Sequence, residues 1–275
     1  MRRAEAAIGG KKISYVTSDP TRAASRAHAP RTILFLHAFP LQAAMWDTTL
    51  DALGDGWRAV APDLRGFGES PLPPASTHRM SELAGDAVDL LDHLQIAETV
   101  LVGCSMGGYI AFELMRMAPR YFTALGLVST RPGADTEEGR ANRQKMIAQA
   151  DRHGVDAIAD EMTSKLLGGT TRNERPDLVK RVRNLIIGNT SGGIKNAIGA
   201  MMERSDSTAL LEHITIPTLI VHGLEDTLIP PSEADKMHRA IPNAEYEPMP
   251  LVGHLPNLEQ SSAFDARLAQ FLNKL

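Results

Sequence analysis

The chain has 275 residues, 43% of them hydrophobic, with a formal charge of −4 and an isoelectric point near 6.1, so a sizeable core is expected and no basic excess is available for nucleic-acid phosphates. No segment approaches the roughly 20 apolar residues that cross a bilayer, and Met1-Arg2-Arg3 leads into Ala4–Gly10 without the apolar stretch of a secretory signal. The single cysteine, Cys104, excludes an intrachain disulfide and fits a cytoplasmic protein, while the nine histidines and one cysteine show no zinc-ligand spacing.

The opening residues predict a hairpin, because Gly9-Gly10 between Ala4–Ile8 and Lys12–Thr17 can supply the left-handed conformations of a tight turn. Short apolar runs then alternate with helical patterns, the order that builds a mostly parallel sheet flanked by helices. Strands are expected at Ile33–Leu36, Ala59–Ala61, Thr99–Val102, Ala124–Val128, Thr218–His222 and Ala244–Glu247. Met80–Leu94 reads as a helix with Leu83, Ala87, Leu90, Leu91 and Leu94 on one face. Tyr109–Met117 is a second helix, stopped by Pro119, and an amphipathic helix around Phe264–Leu275 closes the chain.

The alternation breaks between Arg131 and about His213. This stretch is polar, helical in pattern and free of Phe, Tyr and Trp, and it is interrupted at Gly168-Gly169 and Asn189-Thr190-Ser191-Gly192-Gly193, where it could flex. Residues 1–130 and 214–275 are therefore expected to form one α/β core domain, and 131–213 a helical cap. The apolar cap residues, Met146, Met162 and Met201 among them, either pack the cap helices or line a pliable aliphatic pocket.

The strand at Thr99–Val102 runs into Gly103-Cys104-Ser105-Met106-Gly107 and at once into a helix. Gly-x-Ser-x-Gly in that context is a turn that strains the central residue and presents its hydroxyl, with the helix N-terminus favouring nearby negative charge. Ser105 is the candidate nucleophile, and a serine hydroxyl needs a base to take its proton as it attacks. His254, in Gly253-His254-Leu255-Pro256 just after the last strand, is placed to do so. His37 and His222 end earlier strands, His93, His153, His213 and His238 fall in helical or cap segments, and His28 and His78 in surface loops. A carboxylate must hold the tautomer of the base. Strand Thr218–His222 leads to Glu225-Asp226, of which Asp226 is assigned that role and Glu225 is the solvent-facing alternative. The oxyanion donors assigned are the N–H of Met106 and that of Phe39, in His37-Ala38-Phe39-Pro40 after the strand Ile33–Leu36. The Phe39 side chain is expected to wall the acyl pocket. Cys104, beside the nucleophile, is expected to be buried and inert.

With these residues placed, the chain resembles the α/β-hydrolase superfamily over essentially its full length. The resemblance rests on His37–Pro40 with Trp46 beyond it, Asp63-Leu64-Arg65-Gly66-Phe67-Gly68-Glu69-Ser70, the serine elbow, and the Asp226 and His254 loops, in that order. Ala134–Arg140 and Gly253–Gln260 are similar to the group of 3-oxoadipate enol-lactonases and small carboxylesterases. Ala38 departs from the glycine of many relatives, and Asp63 and Arg65 are expected to hold their loop. A serine nucleophile argues against the dehalogenase and epoxide-hydrolase branches.

The resemblance implies a carboxylic-ester hydrolase for small to medium acyl esters, working through a Ser-His-Asp triad and an acyl-enzyme without a cofactor. An enol-lactonase acting on a dicarboxylate is the nearest alternative. It would need a cation, for which Arg131 is best placed, followed by Arg140 and Arg143; all three also read as surface arginines. Perhydrolase chemistry, with peroxide replacing water, uses the same residues. A non-catalytic small-molecule binding protein on the same fold would have less need of the triad and the elbow glycines. The substrate-contacting candidates are Phe39, Arg131, Met146 and Met162, and the expected partner is a small ester or lactone, not nucleic acid or membrane.

Overall fold

The computed structural model describes residues 1–18, 31–54, 56–74, 76 and 79–275. His28 and His78 lie outside the described residues. Eight strands form one sheet: β1 (Arg2–Ile8), β2 (Lys11–Thr17), β3 (Arg31–Leu36), β4 (Trp57–Pro62), β5 (Thr99–Cys104), β6 (Phe122–Val128), β7 (Thr218–Gly223) and β8 (Ala244–Met249), in the order β1-β2-β4-β3-β5-β6-β7-β8. β1 and β2 are the antiparallel hairpin the sequence predicts, with Ile8 opposite Lys11 and positive φ at both Gly9 and Gly10 (55° and 78°). β2 joins β4 antiparallel, and every remaining pairing is parallel. The middle of the sheet is covered on both faces, which is why Ile33, Leu34, Phe35 and Leu36 are all fully buried rather than alternating.

The helices are α1 (Asp47–Ala52), α2 (Met80–His93), α3 (Met106–Met117), α4 (Glu137–Leu166), α5 (Gly169–Glu174), α6 (Pro176–Ile187), α7 (Ser191–Met202), α8 (Ser232–Ala240), α9 (Pro256–Glu259) and α10 (Ser261–Leu272). α2 packs on α3, α3 on β3 and β5, and α8 on β7 and β8. Asp86 interrupts the apolar face of α2 because it receives the buried Arg65 guanidinium (2.6 and 2.8 Å) together with Lys11 (2.7 Å). Asp63 is equally structural: its carboxylate accepts the Ala43 N–H (2.9 Å) and the Glu69 N–H (3.1 Å) and pairs with Arg3.

Helices α4–α7 are inserted between β6 and β7. α4 is broken into two arms at Gly154, whose backbone (φ 72°, ψ −167°) is not helical. The aliphatic side chains of Ile158, Met162 and Leu166 on the second arm, Leu178, Val182 and Ile186 on α6, and Ile194, Ile198 and Met201 on α7 are buried, so this part of the molecule is packed without aromatic rings. The glycines that the sequence suggests as flexible points do something else here. A Cβ on Gly193 would lie 1.9 Å from the Gly66 carbonyl oxygen, and one on Gly168 2.8 Å from the Gly253 nitrogen, so both glycines permit close backbone contact between the insert and the sheet domain.

Candidate active site

The turn from β5 to α3 holds Ser105 at φ 52°, ψ −110°, a conformation side-chain-bearing residues rarely adopt. Its neighbours explain how it is kept there. A Cβ on Gly103 would meet the Gly107 carbonyl oxygen at 2.3 Å, and one on Gly107 would meet the Leu36 oxygen at 2.3 Å. The Ser105 N–H donates to Val128 (2.8 Å), and its carbonyl accepts the Thr130 hydroxyl (2.9 Å). Cys104 is buried, and burial pushes its thiol up, away from thiolate formation.

The loops after β7 and β8 bring Asp226 and His254 together. His254 Nδ1 donates to Asp226 Oδ2 at 2.6 Å, and Asp226 Oδ1 accepts the N–H groups of Leu228 (2.8 Å) and Ile229 (3.0 Å). Burial opposes the charge on Asp226, but His254 and the hydrogen bonds at the carboxylate hold it below the usual carboxylate range. His254 N–H is itself fixed by the Leu166 carbonyl (3.0 Å). Glu225, the alternative acid, turns away to accept the N–H and hydroxyl of Thr170 (2.8 and 2.6 Å).

Two other histidines are fully buried and, unlike His254, lie off the wall of the cavity that Ser105 faces. His37 accepts the Leu64 N–H at Nε2 (3.0 Å) and donates from Nδ1 to Ala38 (3.0 Å), and burial lowers its pKa to about 4. His222 Nε2 donates to the Ile229 carbonyl (2.9 Å), and burial likewise disfavours its charged form.

Phe39 lies in the Ala38–Leu41 turn, closed by the Leu41 N–H on Ala38 (2.8 Å), and Met106 is the first residue of α3. Neither the Phe39 nor the Met106 N–H is engaged by a described residue.

A cavity of about 560 Å³ joins these groups, with Ser105 and His254 on its wall alongside Phe39, Arg131, Met146 and Met162. Between Ser105 Oγ and the imidazole there is no hydrogen bond among the described residues, and such contacts commonly tighten only when substrate binds. The wall is more polar than a pliable aliphatic pocket: Arg143, Lys145, Glu161 and Lys165 join the methionines, and Tyr109 adds an aromatic ring. Arg140 is exposed and lies off the wall.

Asp135 is a wall residue that sequence reasoning misses. Its buried carboxylate receives Arg131 (2.9 Å), Arg204 (2.7 Å) and Arg143. Burial works against its charge, but Arg143 and Arg204 hold its carboxyl below the usual range. Arg204 also stacks over Tyr109, 4.2 Å from the ring centre. With three guanidinium groups on one carboxylate, this side of the cavity carries an excess of positive charge. Arg131 and Asp135 stand four residues apart and Arg143 eight beyond Asp135, whereas Arg204 is remote in sequence and is brought in by the fold alone.

The model of the alpha/beta hydrolase fold family matches residues 31–261. Among solved structures, a thermophilic esterase from Thermogutta terrifontis, with malate bound, is similar at a TM-score of 0.91 and 32% identity, covering 100% of this chain and 99% of that one. The AB hydrolase superfamily protein YisY of Bacillus subtilis is 29% identical over 88% of this chain and 92% of its own length. The 3-oxoadipate enol-lactonase 2 of Acinetobacter baylyi is 23% identical over 85% of each. Sheet order, serine elbow and sequence similarity therefore converge: the chain belongs to the α/β-hydrolase family, as a hydrolase with an esterase and an enol-lactonase among its relatives.

Proposed function

We propose that the protein hydrolyses carboxylic esters through an acyl-enzyme on Ser105. The observation that carries this reading is the 2.6 Å Asp226–His254 pair sharing one cavity wall with a serine held in an elbow turn. His254 Nε2 takes the hydroxyl proton as Ser105 Oγ attacks the ester carbonyl, and Asp226 stabilises the imidazolium that forms. The N–H groups of Phe39 and Met106 receive the oxyanion; one such donor contributes roughly 3–4 kcal/mol. The C–O bond to the alcohol breaks, His254 returns the proton to the leaving oxygen, and a water activated by the same imidazole then releases the acid.

A second reading, hydrolysis of a lactone or ester whose acyl part carries a free carboxylate, is favoured by the arginine cluster. Arg131 and Arg143 each bond Asp135 and retain further donors, since a guanidinium has five. They suit bidentate recognition of a carboxylate. The Thermogutta esterase was solved with malate, a dicarboxylate, which is consistent with such a ligand.

The test is hydrolysis of p-nitrophenyl acetate, butyrate and octanoate, of the p-nitrophenyl monoester of succinic acid and of a dicarboxylate enol-lactone, by wild type, Ser105→Ala and Arg131→Gln. Ser105→Ala is expected to abolish turnover with the fold intact; retained activity in the pure variant would overturn the mechanism. If the carboxylate is recognised, Arg131→Gln raises KM about tenfold for the succinyl ester and leaves the butyrate unaffected. An equal effect on both esters would refute the second reading.

A further inference from the structure

We propose that Asn189, a residue of the α4–α7 insert, is a positioning residue for the oxyanion loop. The inference rests on Phe39 acting as an oxyanion donor, as set out above. Sequence alone marks Asn189-Thr190-Ser191-Gly192-Gly193 as a flexible stretch, but Asn189 is buried, at 7% exposure, and all its polar capacity is directed at fixed backbone groups. Its Nδ2 donates to the Pro40 carbonyl (2.8 Å) and to the Leu185 carbonyl (2.9 Å), and its Oδ1 accepts the Gly68 N–H (2.8 Å). The amide has one workable orientation, because a flip would set its oxygen against two carbonyl oxygens.

The bond to Pro40 matters because of what the Ala38–Leu41 turn lacks. Proline has no N–H, and neither the N–H nor the carbonyl of Phe39 bonds another described residue. Asn189 therefore makes the one hydrogen bond that holds the Phe39–Pro40 pair from outside its own turn among the described residues. Its Oδ1 meanwhile fixes Gly68, next to Phe67, whose ring packs edge-on against Phe39 with centroids 6.5 Å apart. One side chain thus ties down both the turn that aims the Phe39 N–H and the ring that backs it.

The consequence is that this part of the insert belongs to the transition-state apparatus. An oxyanion donor acts through preorganisation, so a loop free to drift loses stabilisation of the tetrahedral state while substrate still enters the cavity. Thr190 supplies the comparison: its hydroxyl lies 3.3 Å from the Gly66 carbonyl and caps α7 by accepting the Gly193 N–H (3.0 Å), anchoring the same stretch without touching the Phe39 turn.

The experiment uses the full chain with p-nitrophenyl butyrate as substrate and phenylboronic acid as a probe, whose tetrahedral adduct with a serine places an oxygen in the oxyanion site. Asn189→Asp, nearly isosteric, keeps the acceptor for Gly68 and loses both donors. It is expected to lower kcat and phenylboronic acid affinity in parallel by about tenfold or more, with KM within about twofold. Thr190→Ala is expected to melt earlier yet bind the boronic acid like wild type. If Asn189→Asp does not fold, Asn189→Ala carries the same readouts without the added charge. A folded Asn189 variant with kcat and boronic acid affinity within about twofold of wild type would overturn the proposal. Equal losses in Thr190→Ala would also do so, by showing that anchoring in general is what matters. Wild-type turnover that survives Ser105→Ala would instead remove the reading on which the proposal stands.

Discussion

Glu259 is expected to be among the costliest single charges to remove. It is 6% exposed, and no cation pairs with it among the described residues. Its Oε2 accepts the N–H groups of Gly168 (2.8 Å) and Gly253 (3.0 Å), and its Oε1 accepts that of Leu255 (3.0 Å). Glu259→Gln can keep its oxygen toward Gly168 and Gly253, but its amide then faces the Leu255 N–H, donor against donor. Bonds to a charged acceptor contribute roughly 1.5–3 kcal/mol each and neutral ones about 1, so one bond lost and two weakened sum to about 3 kcal/mol. Glu259→Ala, which strands all three donors, should cost about 5 kcal/mol. Urea unfolding at neutral pH measures both. Because His254 sits between two of the clamped residues, Glu259→Gln should also lower kcat several-fold at temperatures where it is fully folded. A Glu259→Gln protein within about 0.5 kcal/mol of wild type would refute the reasoning, since those N–H groups would then have adequate partners without the carboxylate.

Gly193→Ala separates helix propensity from packing. Propensity alone would stabilise α7 by roughly 1 kcal/mol, whereas the Cβ overlap with Gly66 backbone predicts a loss of about 2 kcal/mol or more. Gly192→Ala, whose Cβ would find only Leu72 Cδ2 at 3.5 Å, is the control expected to gain the propensity term in the same thermal melts, and a stabilised Gly193→Ala would refute the close contact. Asp135 gives a pH signature. Its carboxyl is held low in the folded protein, so the stability it contributes is present above the unfolded value of about 3.9 and is lost as pH falls through the folded one. Asp135→Asn should lose about 3 kcal/mol at pH 7, leaving the buried Arg204 without its acid, and should lose less further stability than wild type as pH falls below about 4. An acid slope identical to wild type in urea titrations would rule this out.

Much of the core is legible because its signals are local. The run Ile33–Leu36 announces a strand buried on both faces, Gly9-Gly10 announces a hairpin, and Gly103–Gly107 between a strand and a helix announces the elbow, each within a few residues of chain. The limits of elements are less so: β4 extends to Trp57–Pro62 around the expected Ala59–Ala61, and α10 runs Ser261–Leu272 where Phe264–Leu275 is expected, since apolar patterning marks the buried face more sharply than the ends.

The order of Ser105, Asp226 and His254 is readable in the chain, and it is the tertiary structure that turns order into a 2.6 Å contact between the last two. Composition likewise determines that the insert is helical and free of aromatic rings. What its glycines are for was decided by folding alone: a missing Cβ reads locally as freedom, yet Gly193 meets Gly66 and Gly168 meets Gly253, partners distant in sequence. The same holds for Arg204 against Asp135, and for Asn189 against Pro40. Periodicity and propensity describe what a residue does to its own backbone, whereas burial, charge pairing and close approach depend on which remote backbone the fold brings alongside.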